Sequence, residues 1–328
     1  MARSWLVVLA AVLLAACAST GTNDAPAPQR DVPSPPPATP QSVAPEPLHP
    51  EQALGDLTSL DFCSLLDQDK AAAAGVESRG LVVSGPNLCD EYGTVSGQAI
   101  VVQVGNVADA KEDPDRGPDV NAVPLDQGLK VQLGTYFNSP TSCLRYLTFA
   151  DGTHLSVNVA FTDTSPGTLD QRAALCTVEK AVFAGLVEHV TTRKVDHHDR
   201  ESYLGKFDLC TLMPDPHNVL GALANGLKVI PAPNQHRCTW LNPIDTTEVQ
   251  LSDDYVGRPT GGTKTTIDNQ TAIVERYNEY CYIRTQVGIT QWPRVYEYAT
   301  LWARVPAPHN DPCAVAKTVA AATWPKLP

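Results

Sequence analysis

Eight of the chain's nine cysteines fall into two sets of four, and the spacing of one set repeats that of the other. Cys63, Cys89, Cys143 and Cys176 are separated by 26, 54 and 33 positions, while Cys210, Cys238, Cys281 and Cys313 are separated by 28, 43 and 32. The flanking residues recur too. Residues 57–66 (LTSLDFCSLL) align without a gap on 204–213 (LGKFDLCTLM), and 176–182 (CTVEKAV) on 313–319 (CAVAKTV). One folding unit is therefore written twice, and each copy carries the thiols to cross-link itself. The roughly 275 residues that follow residue 52 suffice for two ordinary domains, each able to bury a core.

Within each half the coarse pattern is helix, several strands, helix. Asp61 and Asp208 are placed to cap a helix, since a carboxylate there accepts free backbone N–H groups and meets the positive helix end. Residues 99–104, 129–133 and the alternating 155–161 read as strands of the first half, and 247–251, 272–277, 280–287 and 298–305 as strands of the second. Asp311-Pro312-Cys313 opens the last helix with proline at its preferred first position. Strands bracketed by helices, without βαβ alternation, predict an α+β class: two tandem homologous domains, each a mainly antiparallel sheet with its N- and C-terminal helices packed on one face.

Four cysteines per half allow three connectivities, and sequence alone does not choose among them. Economy favours one pattern for both halves: strand to strand, Cys89 with Cys143 and Cys238 with Cys281, and helix to helix, Cys63 with Cys176 and Cys210 with Cys313. Two disulfides per domain suit an oxidising compartment. Metal-thiolate sites would need a Cys-x-x-Cys pair, and none is present.

The ninth cysteine belongs to the amino terminus. Arg3, the apolar run 5–14 and the small residues Ala15-Ala16 form a signal segment over residues 1–16, about half the length of a membrane span. Leu14-Ala15-Ala16-Cys17 resembles the bacterial lipobox, in which the cysteine thiol is diacylated and the chain is cut just before it. Several acyl chains would give stable anchoring to the membrane. Residues 18–50 hold ten of the 28 prolines and only Val32, Val43 and Leu48 as large aliphatics. Such a segment cannot offset its ordering entropy, so residues 17–52 are expected to form a lipidated, proline-rich tether reaching at most ~100 Å. The first domain then spans 53–196 and the second 199–328.

The opening motif (Asp61 to Leu66, Asp208 to Met213), the cysteine beside a strand tryptophan (Cys238, Trp240) and the closing Asp-Pro-Cys helix (Asp311 to Cys313) resemble a known group. They are similar to cysteine-rich actinobacterial lipoproteins whose shared domain has no known activity. The first half departs from that pattern, with Tyr92 in place of the tryptophan and no Asp-Pro before Cys176. The resemblance implies an envelope location, on the outer face of the cytoplasmic membrane, and an α+β fold. A weaker likeness is to the extracytoplasmic sensor domains of actinobacterial membrane kinases.

Signatures of catalysis are missing: there is no Gly-x-Ser-x-Gly, His-Glu-x-x-His, Ser-x-x-Lys or Gly-x-Gly-x-x-Gly. The loop 257–265 (GRPTGGTKT) approximates a phosphate loop, but its Lys264 falls one place late and no buried strand is predicted before it. Asp196-His197-His198-Asp199 reads as a solvated linker rather than a metal site, because neighbouring side chains on an extended chain point opposite ways. The acidic stretch 109–119, with Asp113, Asp115 and Asp119, lacks the glutamate that closes a calcium loop. No cofactor, metal or catalytic residue is assigned.

Net charge is −12 overall, and it is concentrated in the first half; residues 199–328 hold 13 acids against 12 bases. That balance disfavours nucleic acid and anionic surfaces as partners. The second half also holds all four tryptophans beyond the signal and seven of the ten tyrosines. Alternation puts Cys281, Ile283 and Val287 on one strand face and Tyr280, Tyr282 and Arg284 on the other. In the next strand Ala299, Leu301 and Ala303 alternate with Tyr298, Trp302 and Arg304. If the aliphatic face is core, the other is an aromatic and arginine-rich platform for a protein, glycan or lipid; the competing reading makes the aromatics core beneath the helices. The expectation is a non-catalytic, lipid-anchored envelope module that binds or assists a protein or ligand. Ligand sensing or scavenging is the first alternative, and an envelope enzyme with an unrecognised site the second.

Overall fold

The computed structural model describes residues 46–109, 122–134, 141–163, 168–198, 204–205, 207–244, 246–290, 294–305 and 311–327. The predicted signal, Cys17 and the tether up to residue 45 lie outside the described residues, as do Asp113, Asp115, Asp119 and Asp199.

Each half opens on a single 3-10 turn, Phe62–Leu65 and Leu209–Leu212, rather than the α-helix expected there. The capping acids are as predicted: Asp61 Oδ1 accepts from Cys63 N at 2.9 Å, and Asp208 Oδ1 from Cys210 N at 2.9 Å. Short helices come after the turns, α2 (Gln68–Ala73) and α4 (Pro216–Leu220), and α1 (Pro50–Leu54) precedes the first turn. Seven strands come next in each half. They are β1 (Glu77–Gly85), β2 (Leu88–Val95), β3 (Gln98–Asp109), β4 (Val123–Pro124), β5 (Lys130–Leu133), β6 (Ser142–Thr148) and β7 (Thr153–Phe161) in the first. The second has β8 (Lys228–Pro231), β9 (Arg237–Leu241), β10 (Glu248–Val256), β11 (Thr263–Ile267), β12 (Gln270–Tyr277), β13 (Tyr280–Ile289) and β14 (Tyr296–Arg304). The halves close on α3 (Leu169–Thr192) and α5 (Pro312–Thr323).

The two sheets have the same topology. Their strand orders are β1-β2-β3-β7-β6-β5-β4 and β8-β9-β10-β14-β13-β12-β11, antiparallel throughout. Two tandem α+β domains are thus present, each a meander whose last strand inserts beside its third. Turn chemistry supports the pairing. Ser96-Gly97 joins β2 to β3 and Asp268-Asn269 joins β11 to β12, both with left-handed φ at the two positions that a tight right-twisted hairpin demands.

Alternation then sorts the faces. Ile100, Val102 and Val104 of β3 and Leu155, Val157 and Val159 of β7 are fully buried against Leu175, Val178, Val182 and Leu186 of α3. In the second half Ile283, Leu301 and Ala303 are buried against Val315, Ala316 and Val319 of α5. Leu48, placed in the tether by composition, is only 3 % exposed; its N–H donates to Gln127 O and its carbonyl accepts from Ala150 N. The ordered part therefore begins before residue 53.

All eight cysteines predicted to pair do so, but with other partners. The bonds are Cys63–Cys89, Cys143–Cys176, Cys210–Cys238 and Cys281–Cys313, the same pattern in both halves. The pairing favoured by economy fails on strand order. Cys89 on β2 and Cys143 on β6 are separated by β3 and β7, so three inter-strand steps of ~4.8 Å stand between them, beyond the ~7 Å that a disulfide spans. Cys238 on β9 and Cys281 on β13 are likewise three steps apart. Each bond instead fastens a helical segment to the strand beneath it, and the four suit an oxidising compartment outside the cytoplasm. Among the described residues no helix is long and apolar enough to cross a membrane.

The halves also touch. Gly105 (φ 136°) sits in a bulge of β3, where an added Cβ would lie 2.1 Å from Asn87 O. That close approach lets Asn106 N donate to Asn87 O at 2.7 Å. The same two asparagines then reach the second half: Asn234 Nδ2 donates to Asn87 Oδ1, and Arg237 donates to Asn106 Oδ1 at 3.1 Å. Nearby, His236 Nε2 donates to Thr58 O at 3.0 Å. The stretch 196–198 is no free linker. Asp61 N donates to Asp196 O, His198 N to Ser59 O, His197 Nδ1 meets Ser59 Oγ at 3.0 Å and His198 Nε2 lies 3.1 Å from Asp61.

Candidate binding face

The antiparallel register of β12, β13 and β14 stacks the platform residues in rows across the sheet. Tyr280 stands opposite Arg304, Tyr282 opposite Trp302, and Arg284 opposite Thr300. Because side chains alternate, these residues share the face away from α5, while Cys281, Ile283, Leu301 and Ala303 occupy the other and are fully buried. Tyr280, Tyr282, Arg284, Trp302 and Arg304 are all half-buried.

They make a continuous ladder. Tyr282 and Trp302 stack at 6.2 Å with 24° between planes, Tyr280 tilts against Trp302 at 5.6 Å, and Tyr277 meets Tyr282 edge-on at 5.8 Å. Arginines close both ends, with Arg304 5.4 Å above the Tyr280 ring and Arg284 5.4 Å above that of Tyr282. Each guanidinium is held by an acid: Arg304 by Glu279 at 2.8 Å, Arg284 by Glu275. Cation–π and stacking contacts of this kind keep large rings fixed without covering them.

Tyr298 departs from the expected platform. It is only 3 % exposed and forms part of the wall of a cleft of about 610 Å³ beside the ladder. Arg258, Lys264, Ile273, Arg284 and Gln286 line the rest. A bulge between Gln286 and Gly288 interrupts the alternation and leaves Val287 half-buried at the core's margin, where it also lines this cleft. Two of the tryptophans credited to recognition are core instead, since Trp240 and Trp324 are fully buried and Trp324 Nε1 donates to Thr285 Oγ1 at 2.7 Å. Trp292 lies outside the described residues.

The glycine-rich loop matters here in a way its resemblance to a phosphate loop misstated. A largely buried strand, β10, does precede it, contrary to expectation, and the loop leads into strand β11 instead of a helix. There is accordingly no helix N-terminus to receive a phosphate, but the loop carries Arg258 and Lys264 to the cleft rim. Gly262 (φ 87°) permits this, because an added Cβ would meet Glu275 Cγ at 2.6 Å and Val274 O at 2.8 Å. Reading the loop only as a nucleotide motif hid the useful signal, two cations flanking small residues next to an aromatic strand pair.

A second, smaller cleft of about 370 Å³ lies between the halves, lined by Gln103, Tyr146 and Asn158 of the first and Arg237, Gln250 and Asp254 of the second. Polar side chains at the β9–β10 margin of the second sheet meet those of the first sheet there. Burial pushes the carboxyls of Asp90 and Asp254 above the usual range. Asp90 is 4 % exposed and accepts from Ser84 Oγ at 2.5 Å and Gln103 Nε2 at 3.0 Å, bonds that only partly offset its desolvation. A raised carboxyl means that the folded chain keeps a proton that the unfolded chain has released, so this stabilisation is present at low pH and lost as pH rises through the folded value. Asp90→Asn removes the titration while keeping an acceptor for Gln103. The wild type is expected to lose stability relative to that variant as pH rises above the ordinary aspartate range, by no more than about 1.4 kcal/mol per pH unit. Urea melts of both proteins from pH 4 to 8 measure this, and parallel profiles would refute it.

Among the described residues no three His, Cys, Asp or Glu side chains converge as a metal site. No family model matches the chain, and no curated protein or solved structure matches it.

Proposed function

We propose that the chain is a lipid-anchored envelope module that binds rather than transforms its partner, and that the Tyr280–Tyr282–Trp302 ladder with Arg284 and Arg304 is its recognition face. The observation that carries this reading is the ladder itself. A row of aromatic rings and ion-paired arginines on the helix-free face of a sheet is a preorganised contact surface that folding alone does not require. The anchor at Cys17 and the proline-rich tether place such a face at a distance from the membrane, where an envelope component can reach it. The cleft beside the ladder favours a second reading, in which the chain senses or scavenges a small ligand, since its volume falls in the range of ligand sites.

A photo-crosslinking residue at Trp302 is expected to give a discrete adduct in the native envelope, while one at the exposed Lys317 on α5 gives none. Tyr282→Ala and Trp302→Ala should abolish capture by a crosslinker placed at Tyr280, yet cost only about 1 kcal/mol of stability each. Trp240→Ala, by contrast, should cost about 3–5 kcal/mol. Equal adducts from both crosslinking positions, or aromatic variants as unstable as Trp240→Ala, would reject the proposal.

A further inference from the structure

The cleft beside the ladder holds an imbalance of charge that the fold does not explain. Three cations line it, Arg258, Lys264 and Arg284. Arg284 is paired with Glu275, but Arg258 rests on the Tyr296 ring at 5.0 Å and neither Arg258 nor Lys264 is ion-paired among the described residues. Lys264 lies opposite Ile273, and Ile273 opposite Arg284, so the two cations stand on one row with a single strand between them. In a chain of net charge −12, two cations at one cleft with no acid partner among the described residues form a local positive site.

Resting on the reading that this face binds a ligand, we propose that the cleft takes the anionic group, phosphate or carboxylate, of a sugar whose ring stacks on Tyr282 and Trp302. Arg284 joins the two parts. It lines the cleft and, two positions along the same strand face, also lies 5.4 Å over the Tyr282 ring. An amphipathic ring with one charged substituent matches that juxtaposition of aromatic surface and cation. The acidic charge of the whole chain repels a dense polyanion or an anionic membrane at long range, whereas one anionic group feels chiefly the cations it touches. A sparsely charged sugar therefore fits better than nucleic acid or a lipid surface.

The test uses the full chain in detergent micelles and calorimetric titration with glucose 6-phosphate, glucuronate, glucose and inorganic phosphate. Saturable binding of at least one anionic sugar is expected, at least tenfold tighter than glucose or phosphate alone and weakening as salt is raised. Arg258→Gln/Lys264→Gln and, separately, Trp302→Ala should each weaken it at least tenfold; the first pair is exposed, so its unfolding midpoint should not move. No saturable binding of either anionic sugar overturns the proposal, as does phosphate binding as tightly as the sugar. Unchanged affinity in the charge variant, or binding to phosphatidylglycerol vesicles in place of sugars, overturns it equally. A Trp302 crosslink that persists when sugars fail to bind leaves the recognition face standing with another partner, whereas loss of the crosslink removes the face itself.

Discussion

Arg145→Met is expected to destabilise the protein by about 3–5 kcal/mol, and Arg145→Met/Glu179→Leu to recover most of that loss. Glu179 on α3 is fully buried, and its two oxygens accept from Arg145 of β6 at 2.6 and 3.1 Å. The guanidinium also lies 5.3 Å above the Phe183 ring. Burial pushes the Glu179 carboxyl up, and the Arg145 hydrogen bonds and charge pull it back. Removing the arginine alone leaves a desolvated carboxylate without compensation; removing both partners leaves an apolar contact that the fold already knows how to make. The second half demonstrates it. Cys143 and Cys176 correspond to Cys281 and Cys313, so Arg145 and Glu179 correspond to Ile283 and Ala316, both fully buried. The single variant should also acquire a pH dependence. With the folded carboxyl raised further, its stability deficit is greatest at neutral pH and shrinks as pH falls toward the ordinary glutamate range. Guanidinium melts at pH 5 and 7 measure both effects, and a single variant within about 1 kcal/mol of wild type would sink the argument.

That ion pair also shows where the sequence stops being informative. Local chemistry is legible: Asp61, Asp208 and Asp311 each cap the turn or helix they precede, because capping depends on two or three consecutive residues. Alternation exposes β7, β13 and β14 for the same reason. In β6 the charged Arg145 stands on the core face, which spoils the apolar period and conceals the strand. In β1 the polar start and Gly80 conceal another. The platform is legible as a face but not in its covering, because alternation says which side a residue takes and not what lies over it; hence Tyr298 is buried while Tyr282 is not. The composition around Leu48 reads as tether because the contacts that order it, Gln127 O and Ala150 N, are distant in the chain. The polar cleft between the halves and the cations of the glycine-rich loop depend on packing between elements far apart in the chain, and no local pattern encodes that.

The disulfides carry the second large effect, and trypsin can decide their connectivity outright. A cleavage site separates every neighbouring pair of cysteines: Lys70 and Arg79 between the first two, Lys111, Arg116 and Lys130 before Cys143, and Arg145 and Arg172 before Cys176. In the second half Lys228, Lys264 and Arg284 serve the same purpose. Non-reducing digestion should yield four linked pairs, Cys63–Cys89, Cys143–Cys176, Cys210–Cys238 and Cys281–Cys313, and a linked Cys89–Cys143 peptide would contradict the topology as well as the pairing. The sequence separations are 26, 33, 28 and 32, so loop entropy makes the four bonds nearly equal, at about 3.6 kcal/mol each. Cys143→Ser/Cys176→Ser should cost that amount, and so should Cys281→Ser/Cys313→Ser. Their consequences differ in place: the first unties α3 from β6 and leaves the ladder intact, while the second loosens α5 from β13, the strand that carries Tyr280, Tyr282 and Arg284. Crosslinking through Trp302 should therefore survive the first double variant and weaken in the second at equal loss of stability. If both variants lose it alike, the face depends on the whole fold and not on the sheet that bears it.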